Sequence, residues 1–267
     1  MIMPFNDKAQ KWRGPRLGDV HIAFGLLTRL PLPCFGTKGV EEVANGSAAN
    51  SAWTWPLVGA FLGALSYLVG AFALALGLPL LISGSLAVAA MVIVTGAFHE
   101  DGLADSADGL WGGYKPARRL EIMKDSHIGT YGVLALILVI GLRIISLGAL
   151  LQNPMAFAGI VALGALSRTP MILFMALMPG ARNGGLSLSV GRPSVVVVGM
   201  ALALSAALAF GLLGVQALWL CTTICGVTAL WALVAWRKIG GQTGDILGAS
   251  QQLSEVAGLL TLVSLWA

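Results

Sequence analysis

Charged residues are scarce in this sequence. Only 10% of its 267 residues are Asp, Glu, Lys or Arg, whereas a soluble domain carries about 25%. Hydrophobic residues make up 57% of the chain, and the mean hydropathy is +0.85. These values exclude an ordinary soluble domain and predict an integral membrane protein. The net charge of +4 is modest and does not point to nucleic acid as a partner.

Cysteine is also rare, with three residues in the chain. Cys221 and Cys225 lie four residues apart in an apolar run, where small apolar side chains fill space between helices. This odd count and this spacing predict neither a disulfide framework nor a zinc site. The first 20 residues include four basic residues but no apolar core segment, so no secretory signal is predicted.

Long apolar runs dominate the rest of the chain. Six are long enough to cross about 30 Å of hydrocarbon as helices: approximately 56–77, 79–98, 130–151, 155–178, 194–213 and 215–236. A seventh, Ala257–Ala267, is short and could cross only with help from the residues before it. The segment His21–Pro33 is broken by Arg29 and two prolines, which predicts an interfacial or re-entrant element. The expected fold is therefore an all-α, polytopic membrane protein with six to seven transmembrane helices.

Positive charge is confined to alternate connections between these runs. Of 16 Lys and Arg residues, all but Arg143 and Arg168 lie in the N-terminal segment and in the connections 99–129, 179–193 and 237–252. Positively charged loops remain cytoplasmic. We therefore expect one integral membrane domain (1–267) with a cytoplasmic or interfacial N-terminal segment (1–52). The connection 99–129 is expected to be a long cytoplasmic catalytic loop.

The segment FHEDGLADSADGLWGG (98–113) concentrates acidic residues. It holds four of the 12 in the chain: Glu100, Asp101, Asp105 and Asp108. In a helix, Asp101, Asp105 and Asp108 fall within an arc of about 60°. Oxygen-rich groups of this kind suit Mg²⁺ or Mn²⁺, and the glycines among them allow a ligand or another helix to approach closely. The alternative is a solvated helix end whose acids pair with nearby Lys and Arg.

A second acid stands in a glycine-rich connection. Asp245 is the only carboxylate of GGQTGDILGA, where backbone N–H groups and a helix N-terminus favour phosphate. A simple N-cap is the alternative for Asp245. Arg168 lies within an apolar run, where arginine is costly and typical of a functional site, although a structural ion pair would also explain it.

Basic residues suited to a phosphorylated substrate follow the acidic segment. They include Arg118, Arg119, Lys124 and His127 in RRLEIMKDSHIGT (118–130). His99 is a candidate base, although a lone histidine is more often a hydrogen-bonding residue. Carboxylates for a metal, basic groups for phosphates and glycine-rich loops at one membrane face are typical of phosphoryl-group transfer.

Several blocks of the sequence resemble the cobalamin synthases, also called adenosylcobinamide-GDP ribazoletransferases. The blocks follow the order of that family and are FGLLTRLPLP (24–33), WPLVGAFLGAL (55–65), the acidic segment, RRLEIMKDSHIGTYGVLAL (118–136), ALSRTPM (165–171), ARNGGLS (181–187) and GGQTGDILGASQQLSE (240–255). The resemblance implies Mg²⁺-dependent transfer of a cobinamide phosphate group to α-ribazole or its 5′-phosphate, with GMP leaving. It implies the bacterial inner membrane as the location, with the active face cytoplasmic. An oligomer, or a complex with other cobalamin-assembly enzymes, is left open.

The resemblance also assigns roles to residues. The expected metal ligands are Glu100, Asp101, Asp105, Asp108 and Asp245. Asp108 is the favoured proton acceptor, and Asp101 and His99 are further catalytic candidates. The expected substrate-binding and phosphate-binding residues are Arg118, Arg119, Lys124, Asp125, Ser126, Arg168, Lys238 and Gly244.

Two other functions compete with this interpretation. A CDP-alcohol phosphotransferase would share the chemistry, but Asp105 stands where its motif has arginine, and the second half of that motif is absent from the sequence. A transporter would place its site near the bilayer midplane on broken helices or repeats. No repeat is visible, and the predicted spans contain no carboxylate, so transport is disfavoured.

Overall fold

The structure is a computed structural model that describes residues 12–31 and 47–266. The first helices are α1 (Leu17–Leu27), a 3₁₀ helix (Ser47–Thr54) that continues into α2 (Trp55–Ala75), α3 (Leu80–Thr95), α4 (Phe98–Gly112) and α5 (Pro116–Ile122). The next are α6 (Thr130–Leu150), α7 (Ala156–Leu166), α8 (Thr169–Leu177) and α9 (Leu186–Val190). The last are α10 (Val195–Leu213), a 3₁₀ turn (Gly214–Gln216), α11 (Ala217–Ile239) and α12 (Gly244–Trp266). Over these residues the all-α prediction is confirmed.

Five helical segments are long and apolar enough to cross a membrane: Ala48–Ala75, Thr130–Leu150, Ala156–Leu177, Val195–Ile239 and Gly244–Trp266. Helices α3 and α4 meet at 90° and together form a sixth candidate. As one straight helix, Val195–Ile239 would measure about 67 Å, roughly twice the hydrocarbon thickness. Gly214, at φ 56° and ψ −135°, interrupts it between α10 and α11. The predicted multi-pass helical architecture is therefore confirmed.

Helix α12 corrects the sequence prediction. The short run Ala257–Ala267 was expected to need help to cross, but α12 begins at Gly244 and has 23 residues. Polar side chains in its first half, including Gln251, Gln252 and Glu255, are buried. The predicted connection 237–252 therefore shrinks to residues 240–243, and the expectation that no carboxylate lies within a span is wrong.

The N-terminal boundary also differs from the prediction. The first membrane-spanning candidate begins at Ala48 and so overlaps the end of the expected N-terminal segment 1–52, whose cytoplasmic or interfacial position stays a prediction. Helix α1 has 11 residues, too few to cross the hydrocarbon, which agrees with the predicted non-spanning element. Residues 32 and 33 of that element lie outside the described residues.

Glycines allow the helices to pack at close range. A Cβ at Gly59 or Gly63 of α2 would overlap the backbone of α7 at Gly164 or Ile160. A Cβ at Gly84 of α3 would overlap the backbone of α6. Small residues at helix interfaces are typical of membrane bundles, because lipid provides no hydrophobic drive and close backbone contact replaces it.

The charged connections meet at one end of the bundle. Arg29 N donates to Val94 O at 2.7 Å, Arg119 Nη1 donates to Lys238 O at 2.7 Å, and Gln242 N donates to Pro179 O at 2.8 Å. At the opposite end, Trp266 Nε1 near the end of α12 donates to Gln216 Oε1 at 3.0 Å. The charge segregation seen in the sequence therefore corresponds to one charged end of the molecule.

Candidate active site

Two glycines allow α4 to cross α12 closely. A Cβ at Gly102 would lie 2.9 Å from Asp245 O and 3.3 Å from Gly248 Cα. On the other helix, a Cβ at Gly248 would lie 3.3 Å from His99 Cα. The expectation that glycines of the acidic segment admit a neighbouring helix is confirmed. The crossing brings the acidic helix α4 to the first turn of α12, where Asp245 lies.

A polar cavity lies at this crossing. It has a volume of about 480 Å³ with its open mouth, and its lining residues come from α4, the connection before α10 and the start of α12. They are Phe98, Asp101, Gly102, Arg182, Gly185, Leu186, Gly244 and Asp245. Asp101 and Asp245, two of the expected metal ligands, therefore face one space, and Gly244 lines it as well.

Arg182 is a cavity residue that was not selected from the sequence. Its guanidinium forms an ion pair with Asp245, and Thr243 Oγ1 donates to Asp245 Oδ2 at 3.2 Å. Ile246 N donates to Thr243 Oγ1 at 3.3 Å, so Thr243 caps α12 and the N-cap alternative for Asp245 is wrong. Arg182 was identifiable as the only basic residue of ARNGGLS (181–187).

Asp105 lies one helical turn from Asp101 on α4. Helix α4 turns 90° away from α3 and carries four acidic residues, so α3 supplies the apolar part of that candidate span and α4 lies at the charged end of the bundle. Burial raises the pKa of Asp105 to about 7, and the negative charges of Asp101 and Asp245 add to this effect. Arg182 lowers the pKa of Asp105 only in part. The three carboxylates are therefore close enough to repel one another, and the positive charge of Arg182 does not fully offset this repulsion.

The donor chemistry around the cavity suits a hard divalent cation. Among residues 12–31 and 47–266, no three His, Cys, Asp or Glu side chains are arranged to hold a metal ion as they stand. Mg²⁺ needs fewer protein ligands, because it usually combines one or two carboxylates with water and substrate phosphates. Asp101 and Asp245 line one cavity and would satisfy this requirement. The raised pKa of Asp105 nearby shows that negative charge is concentrated there.

Asp108 is engaged differently from its neighbours. It is buried, and its two carboxylate oxygens accept hydrogen bonds from Gly129 N at 2.7 Å and Gly132 N at 2.9 Å. Gly129 is the N-cap residue of α6 and Gly132 lies in its first turn, where N–H groups lack intrahelical partners. Asp108 thus caps α6 from another helix, and this contact favours positioning over the proton-acceptor role that the family resemblance implied.

We expect Gly132→Ala to weaken this cap. A Cβ at Gly132 would overlap the carboxylate of Asp108 and lie 3.1 Å from Ala104 O. Overpacking of this kind costs about 1–3 kcal/mol, and it would shift α4 with its carboxylates. Thermal unfolding in detergent and initial rates should both decline. Gly141→Ala, on the same helix with nothing within 4 Å of its Cβ, is the matched control. Equal behaviour of the two variants would contradict the role of this contact.

Glu100 and His99 do not face the cavity. Glu100 Oε1 accepts from Arg143 Nη1 at 2.7 Å and from Gln252 Nε2 at 3.1 Å, and the side chain is buried. His99 is buried next to the crossing, and its Nε2 has no hydrogen-bond partner among the described residues. We therefore leave Glu100 out of the proposed metal ligands and His99 out of the proposed catalytic residues.

A buried ion network holds the helices around Glu100. Glu255 lies between two arginines, with Arg143 Nη2 at 2.9 Å from Oε1 and Arg168 Nη1 at 3.3 Å from Oε2. Two arginines and two glutamates make the network neutral. Arg168 is consequently a structural ion-pair residue, and the predicted phosphate contact is replaced by this pairing. Glu255 was identifiable in the sequence as a lone acid before an apolar run.

The other predicted phosphate-binding residues lie outside the cavity. Arg119 Nε donates to Gly113 O at 2.8 Å, and Lys238 Nζ donates to Leu110 O at 2.8 Å, so both side chains secure backbone. Arg118 is exposed and pairs with Glu121 at 2.8 Å. Among the residues described, none of these three lines the cavity.

The connection before α6 is solvent-exposed. Lys124, Asp125 and Ser126 are exposed, and none of them lines the described cavity. Asp125 Oδ1 lies 2.7 Å from His127 Nδ1. This hydrogen bond lowers the pKa of Asp125 and raises the pKa of His127. The substrate-binding roles predicted for these residues stay predictions.

The family model and the known proteins that match this chain all point to one family. The model of the family "Cobalamin-5-phosphate synthase" matches residues 19–263. An adenosylcobinamide-GDP ribazoletransferase of Brucella anthropi is 42% identical over 94% of this chain and 98% of the relative. Proteins of the same name from Brucella canis and Brucella melitensis are 40% identical with the same coverage. No solved structure matches the chain.

Proposed function

This chain belongs to the cobalamin-5-phosphate synthase family, and from that premise we propose that the cavity between α4 and α12 is its active site. The protein is a transferase that moves the cobinamide phosphate group of adenosylcobinamide-GDP to ribazole in cobalamin synthesis. One observation carries the choice of site: Asp101, Asp245 and Arg182 line a single cavity at the charged end of the bundle.

The reaction breaks one phosphoanhydride bond and forms one phosphoester bond. A ribose hydroxyl of α-ribazole, or of its 5′-phosphate, attacks the phosphorus that bears cobinamide. The new P–O bond joins ribazole to that phosphorus, the pyrophosphate bond breaks, and GMP leaves with the bonding electrons. Asp105 lies one helical turn from Asp101 and does not itself line the cavity; we propose it as the acceptor of the hydroxyl proton because its pKa of about 7 suits a base near neutral pH.

Asp101, Asp245 and Arg182 bind the pyrophosphate side of the substrate in this proposal. Mg²⁺, for which Mn²⁺ could substitute, would supply positive charge to the phosphate oxygens when bound by Asp101 and Asp245. Arg182 offers a planar guanidinium suited to phosphate oxygens. It pairs with Asp245 in the structure, and this contact holds the guanidinium at the cavity wall, where phosphate oxygens would bind.

The test is an assay with defined substrates. Purified protein in detergent, given adenosylcobinamide-GDP, α-ribazole and Mg²⁺, should release GMP and form the cobalamin product. A metal chelator should abolish both products, and added Mg²⁺ or Mn²⁺ should restore them. A parallel reaction with a CDP-activated lipid should yield no CMP. Activity that survives exhaustive chelation would refute the metal proposal, and CMP release would favour a phospholipid head-group transferase.

We also propose that the charged end faces the cytoplasm of a bacterial inner membrane, because basic connections are retained there. Tyr114 and Gln152 are exposed at opposite ends of α4–α6. In a variant with Cys34, Cys221 and Cys225 replaced by Ser, a cysteine at position 152 should react with an impermeant maleimide in intact spheroplasts. A cysteine at position 114 should react only after lysis. The reverse pattern would invert the orientation.

A further inference from the structure

An apolar pocket adjoins the acidic cavity. It measures about 360 Å³ with its opening, and its walls are almost entirely apolar. Trp55 of α2, Met171 and Met175 of α8, and Leu247 of α12 contribute side chains to it. This volume includes open space at the mouth; the enclosed part is narrow and is lined by the flexible side chains of Met171 and Met175.

The apolar pocket and the acidic cavity share part of their walls. Phe98, Leu186 and Gly244 line both spaces. One ligand can therefore extend from the carboxylates into the apolar pocket. Such a ligand needs a polar part for the cavity and a compact apolar part for the pocket.

One polar group of the pocket wall lacks a partner. Trp55 is 3% exposed, and its indole Nε1 has no hydrogen-bond partner among the described residues. A buried donor without an acceptor costs about 1–3 kcal/mol. A ligand in the pocket that carries a hydrogen-bond acceptor would be suited to supply the missing partner.

The geometry points to the benzimidazole base of ribazole as the occupant of this pocket, an inference that rests on the proposed function. This base is a flat bicyclic aromatic ring with one unprotonated ring nitrogen as acceptor and no exocyclic amino group. Methionine sulfur and aromatic rings make favourable contacts with such a ring. Guanine would leave its N–H and carbonyl groups unpaired against apolar walls, and the corrin macrocycle is far larger than the pocket.

The assignment fixes the direction of the acceptor substrate. With the base held between Trp55 and Met175, the attached ribose leaves the pocket past Gly244 and Phe98, which also line the cavity. Its hydroxyl groups then enter the space that Asp101 lines. The pocket thus selects the acceptor and orients the attacking hydroxyl, and such positioning accelerates a bimolecular reaction.

The test is to fill the pocket with a larger side chain. Met175→Trp should raise KM for α-ribazole at least roughly tenfold while KM for adenosylcobinamide-GDP stays within about twofold. Trp55→Phe keeps an aromatic side chain, removes the N–H donor together with the five-membered ring of the indole, and should raise KM for α-ribazole several-fold. Free 5,6-dimethylbenzimidazole should inhibit the unmodified protein competitively against α-ribazole, and Met175→Trp should abolish that inhibition. Leu177→Trp, an exposed position on the same helix, is the control and should change neither KM.

Each outcome separates this inference from the proposed function. Unmodified protein that forms no product refutes the proposed function. Active unmodified protein whose KM for α-ribazole is unaltered by both Met175→Trp and Trp55→Phe refutes only the base pocket. A rise in KM for adenosylcobinamide-GDP alone would assign the pocket to the other substrate and overturn the inference. A co-purified lipid that Met175→Trp displaces, with KM for α-ribazole unchanged, would overturn it as well.

Discussion

Asp105→Asn is expected to reduce kcat by about 10²–10⁴-fold while the Mg²⁺ concentration for half-maximal rate changes little. Asn has nearly the same shape as Asp but cannot accept the hydroxyl proton of ribazole. Asp101→Asn should behave differently, because Asp101 lines the cavity with Asp245. It should raise the Mg²⁺ concentration for half-maximal rate as well as lower kcat. Initial rates of GMP release over a Mg²⁺ series measure both quantities.

The control for these two variants is Glu121→Gln. Glu121 is an exposed acid paired with Arg118, and exposed pairs contribute about 0–1 kcal/mol. Its kcat and Mg²⁺ requirement should match those of the unmodified protein. Full activity of both Asp105→Asn and Asp101→Asn would exclude the proposed site. If Asp105→Asn altered only the Mg²⁺ requirement, Asp105 would be a metal ligand instead.

The same substitution has a predicted effect on stability. The pKa of Asp105, about 7, lies above its ordinary value of 3.8, so the folded protein binds this proton more tightly than the unfolded chain does. Through this group, metal-free protein should lose stability as pH rises from roughly 4 to 7. Asp105→Asn should remove that part of the pH dependence. Thermal unfolding in chelator at several pH values measures it.

Glu255→Gln is expected to destabilise the fold by about 3–5 kcal/mol, the cost of leaving a buried ion pair without one partner. Glu255 contacts both Arg143 and Arg168, so its loss leaves two buried arginines with Glu100 alone. Activity should decline too, because Glu100 precedes Asp101 on α4 and is held by the same network. Unfolding by a denaturing detergent in mixed micelles measures the free energy.

A double variant tests the network directly. Arg168→Gln alone should also destabilise the protein, since it leaves Glu255 with Arg143 alone. In Glu255→Gln combined with Arg168→Gln, one arginine and one glutamate remain, and Arg143 still pairs with Glu100 at 2.7 Å. The double variant should therefore lose less stability than the sum of the single variants, by about 0.5–3 kcal/mol. Simple additivity would show that the two groups act independently.

The acidic segment shows how far local spacing can predict a site. Helical periodicity correctly placed Asp101 and Asp105 on a helix at a charged end, because backbone geometry fixes which residues share a face. Helical periodicity could not show that the neighbouring acids Asp108 and Glu100 bind other parts of the protein. Asp108 accepts hydrogen bonds from Gly129 and Gly132, and Glu100 pairs with Arg143. Those partners lie between 21 and 43 residues further along the sequence than the acids that they contact.

The buried arginines show why the last span was predicted too short. Hydropathy counts each polar residue as costly, so a segment with Gln251, Gln252 and Glu255 did not qualify as a span. In the structure these side chains bind one another and the arginines of α6 and the α7–α8 junction. Partners from other helices offset the cost of burial, and a window that moves along one segment cannot detect them.

The sequence by itself determined the helical membrane class, the location of the charged end, the acidic helix and the family resemblance. Each of these depends on residues near one another in the chain or on composition, which hydropathy, charge and helical period express directly. Only the tertiary structure decided that Asp245 and Arg182 join Asp101, that Asp108 caps α6, and that Glu255 links two arginines. These contacts arise where α4, α6 and α12 pack together, and packing between distant segments determines which charges meet.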